Sequence, residues 1–317
     1  MILVTGSAGR IGRAVMAALR AQGREVRGFD LHADAPDIAG ALEDRSAVIA
    51  AMDRVTEVLH LGAFMSWAPQ DIDRMFRANV DGTHHLLEAV TDVRRFIFAS
   101  SGEVYPENRP KSLPVDEAHP LQPTTPYGLT KLLGEELVRF HQRAGLETVI
   151  LRFSHTQDAT ELLDERSVFS GPRFFLHPRI RQQEALGNAA TVAALRAADP
   201  GHPAHVLARN AAGRPYRMHI TDTRDMVAGI LLALDHPAAA GQTFNLGADM
   251  PVDFGDLLPR MSQATGLPLV TVDLPGDGVY YETSNARIRD KLGFRTEWTI
   301  DRMLEEACLA RRQRGLM

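Results

Sequence analysis

Cysteine is almost missing from this chain. Cys308 is the single one among 317 residues, so no disulfide framework can form within one chain, as expected in a reducing cytosol. Basic charge is not in excess either: the formal net charge is −5 and the pI about 6.2. No basic block interrupts the sequence, which argues against nucleic acid as a partner. No apolar run is long enough to span a bilayer. The N-terminus enters an apolar strand at once, without a charged leader or a cleavage-site pattern. A cytoplasmic protein without a membrane partner is expected. Internal repeats, low-complexity tracts and a spaced Cys/His/carboxylate cluster are lacking as well, so no metal site is expected. What remains is the composition of an ordinary globular protein, 44% hydrophobic and 24% charged. Its length allows one large domain or two smaller ones.

Against that background the first thirty residues carry a pattern. Ile2 to Thr5 is a short β-branched run, hence a buried strand. Gly6, Gly9 and Gly12 follow at three-residue spacing, and Ala14 to Leu19 reads as a helix closing near Gly23. Strand, glycine turn and helix are the context a phosphate-binding loop needs. Glycines let the backbone approach a pyrophosphate, and the helix N-terminus supplies free amides and a favourable dipole. The same pattern also serves a tight turn built for close packing. Glu25 to Phe29 reads as a second strand ending in Asp30. A carboxylate there can accept both ribose hydroxyls of an adenosine and would repel a 2′-phosphate. Leu31, His32, Ala33 and Asp34 offer no arginine to receive one, which favours NAD over NADP.

Further strands are expected at Val55–Leu61, Arg95–Ser100 and Thr148–Phe153, alternating with helices at Met75–Val90 and Tyr127–His141. Strands alternating with helices predict a parallel sheet covered on both faces, an α/β fold. Ligands of such a sheet bind at the carboxyl ends of its strands. Gly6, Asp30, Gly62 and Ser101 all fall there. Tyr127 and Lys131 are four apart, so on a helix they share a face. A lysine ammonium favours the phenolate of a nearby tyrosine. With Ser101 to hold a substrate oxygen, these are the parts needed to take a proton from an alcohol while hydride leaves its carbon.

Together these residues resemble the extended short-chain dehydrogenases/reductases, the NAD-dependent epimerase/dehydratase group. The match includes the glycine loop, Asp30, His60-Leu61-Gly62-Ala63, Asn79-Val80-Asp81-Gly82-Thr83, Ser100-Ser101 before Val104-Tyr105, and Tyr127 with Lys131. His219 to Asp222, Phe244 to Gly247 and Leu292 to Phe294 match later landmarks. The resemblance implies a Rossmann-type doubly wound sheet over residues 1–155, with segments around 215–247 returning to it. A smaller substrate-binding part lies mainly within 156–317. It implies Ser101, Tyr127 and Lys131 as catalytic residues, and NAD as cofactor. The implied cofactor contacts are Gly6, Ala8, Gly9, Arg10, Ile11, Gly12, Asp30, Leu42, Leu61, Gly62, Ala63, Asn79, Ala99, Ser100, Tyr127 and Lys131. It also implies a homodimer paired through the helices near 75–90 and 127–142.

The sequence departs from members acting on nucleotide-linked sugars. After Arg152-Phe153 it reads Ser154-His155-Thr156-Gln157-Asp158, with neither the asparagine nor the Gly-Pro of those members. Arg214 and Arg217 are displaced from the place of their arginine, and Ala41-Leu42 replaces an Asp-Leu pair. Glu103, two places after Ser101, is either a second carboxylate for a carbon-bound proton or a turn residue. Glu103, Ser154 and His155 are candidate substrate contacts, and Arg173, Arg179 and Arg181 could hold a carboxylate or phosphate. The expected function is an NAD-dependent oxidoreductase acting on a carbinol carbon of a sugar, sugar acid or polyol. An NAD-retaining epimerase or dehydratase is the alternative, and a non-catalytic NAD-binding protein a distant one.

Overall fold

A computed structural model describes residues 1–33, 37–66 and 68–315. Asp34, named above for the turn after the second strand, lies outside them. Seven parallel strands form the main sheet. They are β1 (Ile2–Thr5), β2 (Val26–Asp30), β3 (Ile38–Ala39), β4 (Glu57–His60), β5 (Arg95–Ser101), β6 (Thr148–Phe153) and β7 (Thr243–Leu246). Their spatial order is β7-β6-β5-β4-β1-β2-β3. Strand order reverses beside β1, and a crevice opens there at the carboxyl ends. β1, β4, β5 and β6 are apolar and buried on both faces, as a parallel sheet under two helical layers requires.

Each layer has its own core. Val15, Met16 and Leu19 of the helix Arg10–Ala21 pack with Met226, Ile230 and Leu234 of the helix Thr223–Asp235 on one face. Phe29, Val48, Leu86, Phe96 and Val138 fill the other. Ile288, Leu292 and Phe294 also return to the first core, far along the chain from β1. A third cluster lies in the C-terminal half, where Phe174, Phe254, Leu258, Met261 and Met303 pack together. Beside it His205–Arg209 pairs in parallel with Leu269–Asp273.

One expected helix is broken. The stretch predicted as a single helix over Met75–Val90 is a helix Ile72–Phe76, a π-helical turn Arg77–Asp81 and a helix Gly82–Glu88. The π-turn carries Asn79, whose side chain is fully used. Its Oδ1 accepts from the Phe64 amide at 2.7 Å, and its Nδ2 donates to the Phe64 carbonyl at 2.9 Å and to Thr130 Oγ1 at 3.0 Å. These bonds hold the π geometry and pin the chain after β4 to the neighbouring helix. Among the described residues no helix is long and apolar enough to cross a membrane.

Candidate active site

The crevice holds a cavity of about 560 Å³, with the glycine loop at one end and the C-terminal half at the other. Two glycines make the first end possible. Gly6 has φ +70°, and a Cβ there would lie 2.6 Å from the Cα of Gly62. At Gly12 a Cβ would lie 2.0 Å from the carbonyl oxygen of Gly6. The loop therefore folds flat onto the helix start and onto the end of β4, which no side chain would permit.

A chain of buried hydrogen bonds fixes that contact, and its directions follow from the donors. Thr83 Oγ1 donates to the Asn79 carbonyl at 2.5 Å, so it must accept from His60 Nε2 at 2.9 Å. His60 Nδ1 then accepts from Thr5 Oγ1 at 2.7 Å, and Thr5 Oγ1 accepts from the Gly62 amide at 3.0 Å. Burial and the neighbouring Lys131 push His60 down to about 3, so it stays neutral and holds this single tautomer.

The centre of the cavity is built by β5 and the helix Pro126–Arg143. Thr125 caps that helix, its Oγ1 accepting from the Gly128 amide at 3.0 Å, and Pro126 occupies the first turn without a lost hydrogen bond. The Thr125 hydroxyl donates to Glu103 Oε2 at 2.6 Å. Gly128 lets the helix touch the turn at Glu103, where a Cβ would meet the Glu103 carbonyl at 2.2 Å. This seats Tyr127 and Lys131 beside Ser101, and all three line the cavity. Lys131 is buried, and its Nζ donates to the Ala99 carbonyl at 2.8 Å. The nitrogen lies 5.7 Å from the Tyr127 ring centroid.

The electrostatics differ from the expectation. Burial pulls Lys131 down to about 7, with Glu135 opposing. Burial and the Glu103 carboxylate push the Tyr127 phenol above its ordinary value. Burial disfavours the ammonium and one of its donors is given to a carbonyl, so the lysine does not by itself draw the phenol down. Burial also raises Glu103 itself.

Beneath the site lies a network that sequence reasoning missed. Glu135 and Arg152 are both buried and pair through two bonds of 2.9 and 2.8 Å. Ser100 Oγ donates to Glu135 at 2.6 Å, and Arg152 Nη1 donates to the Tyr105 hydroxyl at 2.6 Å. The hydroxyl in turn donates to Asn245 on β7 at 2.8 Å. A lone arginine inside the apolar strand β6 was the available signal, since a buried charge needs a partner.

At the far end His155 Nε2 accepts from Arg173 Nη1 at 2.6 Å, since a guanidinium only donates. Burial and Arg173 push His155 well below its ordinary value. Ser154 and His155 line the cavity, as do Arg173 and Arg179, while Arg181 is exposed. Ser154 Oγ lies 2.6 Å from Thr221 Oγ1. Glu107 and Tyr281, which no spacing in the sequence marked, also line it. Glu107 is raised to about 8 by burial and by Glu103, with Arg173 opposing.

A family model for the NAD dependent epimerase/dehydratase family matches residues 2–157. A crystal structure of a short-chain dehydrogenase/reductase superfamily protein from Agrobacterium tumefaciens with bound NAD is 71% identical. The match covers 99% of this chain and 98% of that one, with a TM-score of 0.97. The chain belongs to the short-chain dehydrogenase/reductase superfamily. Curated proteins that resemble it differ in activity. A UDP-glucose 4-epimerase of Halalkalibacterium halodurans is 29% identical over 96% of this chain and 94% of its own length. A uronate dehydrogenase of Pseudomonas syringae pv. tomato is 32% identical over 48% of this chain and 58% of its own length.

This member of the superfamily is an NAD-dependent enzyme, and its residues fit the cofactor. Gly6, Gly9, Arg10, Ile11, Gly12, Leu61, Ala99 and Ser100 line the cavity together with Tyr127 and Lys131. Asp30 stands at the same sheet edge, its Oδ2 accepting from the Ala8 amide at 3.2 Å and its Oδ1 from the His32 amide at 3.0 Å. Ala8, Asp30, Leu42, Gly62, Ala63 and Asn79 are not among the walls of this cavity. Leu42 instead packs against Gly62 and Gly82, and Asn79 is spent on the π-turn described above.

Proposed function

We propose that the protein is an NAD-dependent oxidoreductase acting on a carbinol carbon of a compact sugar-like polyol. The observation that carries this reading is the meeting of Ser101, Tyr127 and Lys131 at the centre of one cavity with the glycine loop at its end. Ser101 holds the reacting oxygen. Tyr127 Oη takes the hydroxyl proton, and Lys131 Nζ holds the nicotinamide ribose. When bound, oxidised NAD accepts the hydride and adds a positive charge beside the phenol. That charge opposes the upward push from burial and Glu103. In the reverse direction the protonated phenol is already the proper donor to a carbonyl.

Two features favour a substrate that is not held through a nucleotide diphosphate. Arg217 donates to Glu282 at 3.0 Å, and Arg214 stacks 4.0 Å from the ring centre of Tyr280, so both displaced arginines are engaged. Neither lines the cavity. The chain acts as a homodimer in this reading. Leu129, Leu133 and Phe140 form an exposed stripe on the helix Pro126–Arg143, the second of the two helices expected to pair.

An NAD-retaining epimerase is the second reading, supported by the end-to-end likeness to the Halalkalibacterium enzyme. A screen of free sugars, sugar acids and nucleotide sugars, followed at 340 nm, separates the two. NADH accumulating in step with substrate supports the oxidoreductase. Interconversion of epimers without free NADH overturns it.

A further inference from the structure

Arg173 and Arg179 are two guanidiniums on the wall of the cavity, and among the described residues neither forms a salt bridge: no carboxylate lies within 4.0 Å of either. Arg179 is only 9% exposed, and its Nε has no hydrogen-bond partner. Its Nη1 reaches the Arg173 carbonyl at 3.5 Å, and its guanidinium carbon lies 5.5 Å from the ring centre of Tyr216. Arg173 has one neutral acceptor, His155 Nε2. Burial and the charge of Arg179 pull Arg173 down to about 10, and Glu107, beyond salt-bridge distance, opposes them only in part. Buried guanidiniums are stable when a planar anion answers their fork.

We infer that Arg173 and Arg179 form the subsite for a carboxylate of the substrate, which is a polyhydroxy acid. This rests on the oxidoreductase reading for the rest of the site and adds the substrate class. Phosphate would also suit two guanidiniums. The two carboxyl groups on the same walls, Glu103 and Glu107, oppose a dianion more than a monoanion. As hydroxyl acceptors they suit the remaining carbons of such an acid. The substrate then lies with its carboxylate at the arginines and its reacting carbinol between Ser101 and Tyr127.

The test is calorimetry on the NAD-loaded protein with D-glucuronate, D-galacturonate, D-gluconate and D-galactonate, and with the amide of each. UDP and a sugar phosphate complete the set. At least one acid is expected to bind at least ~30-fold more tightly than its amide, the loss typical of leaving a buried charge unpaired. Arg173→Met and Arg179→Met should each lose about that factor for the acid while keeping the affinity for NAD. Arg179→Lys, with the charge but not the fork, should fall between. If no acid outbinds its amide, or if UDP or the sugar phosphate binds more tightly with the same arginine dependence, the carboxylate subsite is wrong. The acid–amide comparison needs only the wild-type protein, so misfolded variants do not blunt it. Binding of an acid through both arginines with no NADH released supports the subsite and overturns the oxidoreductase reading instead. NADH released equally well from an acid and its amide does the reverse.

Discussion

The two ends of the cavity are built on opposite plans. At the glycine end the Thr5, His60, Thr83 and Asn79 chain leaves one possible direction for each proton. At the far end, among the described residues, Arg179 Nε and His219 Nδ1 are buried without a partner. A satisfied end is rigid and ready for a ligand recognised mainly through backbone. An unsatisfied end stores its missing hydrogen bonds for a ligand that brings them. The first plan suits a shared cofactor, the second a particular substrate.

Variants can break or sharpen this contrast. The largest effect is expected where the two ends meet. Tyr127→Phe removes one hydroxyl and should lower turnover at least ~100-fold on the substrate found by the 340 nm screen. NAD affinity and melting temperature should stay near wild type. Near-normal turnover would move the acid/base role to Glu103 or His155. Next, Asn79→Leu strikes the rigid end alone. It strips three buried hydrogen bonds and should cost about 2–3 kcal/mol in denaturant unfolding, with turnover of the folded protein changed only a few-fold. A large drop in turnover without loss of stability would instead make Asn79 part of the chemistry.

Lys131 yields a pH test with a definite sign. Its folded value of about 7 lies below the ordinary ~10.4 of an exposed lysine. Between those values the unfolded chain holds more protons, so stability rises with pH, by up to ~1.4 kcal/mol per unit. Comparing wild type with Lys131→Met by denaturant unfolding at pH 7.5 and 9 isolates this term. The wild type should gain relative to the variant, and equal slopes would place the ammonium in a better solvated setting. The smallest effect is expected from Asp30→Ala. It should narrow the preference for NAD over NADP by ~10-fold, the weight of one hydrogen bond to a charged group, as read by calorimetry with both cofactors.

The contrast also explains what could be read from the sequence. The glycine end announces itself because Gly9 and Gly12 press on the Gly6 carbonyl a few residues away and Gly6 itself turns with a positive φ. The strands at Ile2, Arg95 and Thr148 are legible because burial on both faces leaves continuous apolar runs. Tyr127 and Lys131 are legible through helical spacing taken together with the glycine signature and the family resemblance. The π-turn was not legible, because its cause is the backbone of Phe64, fifteen residues from Asn79 in the chain. The downward shift of Lys131 is not legible for a related reason: spacing gives the tyrosine as neighbour but not the Ala99 carbonyl or the burial. Glu107 and Tyr281 join the site only through tertiary packing, and no local pattern records that.

Arg10 sits in the glycine loop, yet its side chain belongs to the other half of the molecule. It donates to the Thr156 carbonyl at 3.1 Å and to Glu161 at 2.7 Å, and its guanidinium carbon lies 4.8 Å from the ring centre of Phe169. For anyone recombining modules between relatives, this makes the obvious cut after β6 a poor one. A grafted C-terminal half without a carboxylate at position 161 and an aromatic ring at 169 would strand a guanidinium against the cofactor loop. Chimeras should therefore carry residues 10, 156, 161 and 169 from one parent, even though the first and last lie in what look like separate pieces.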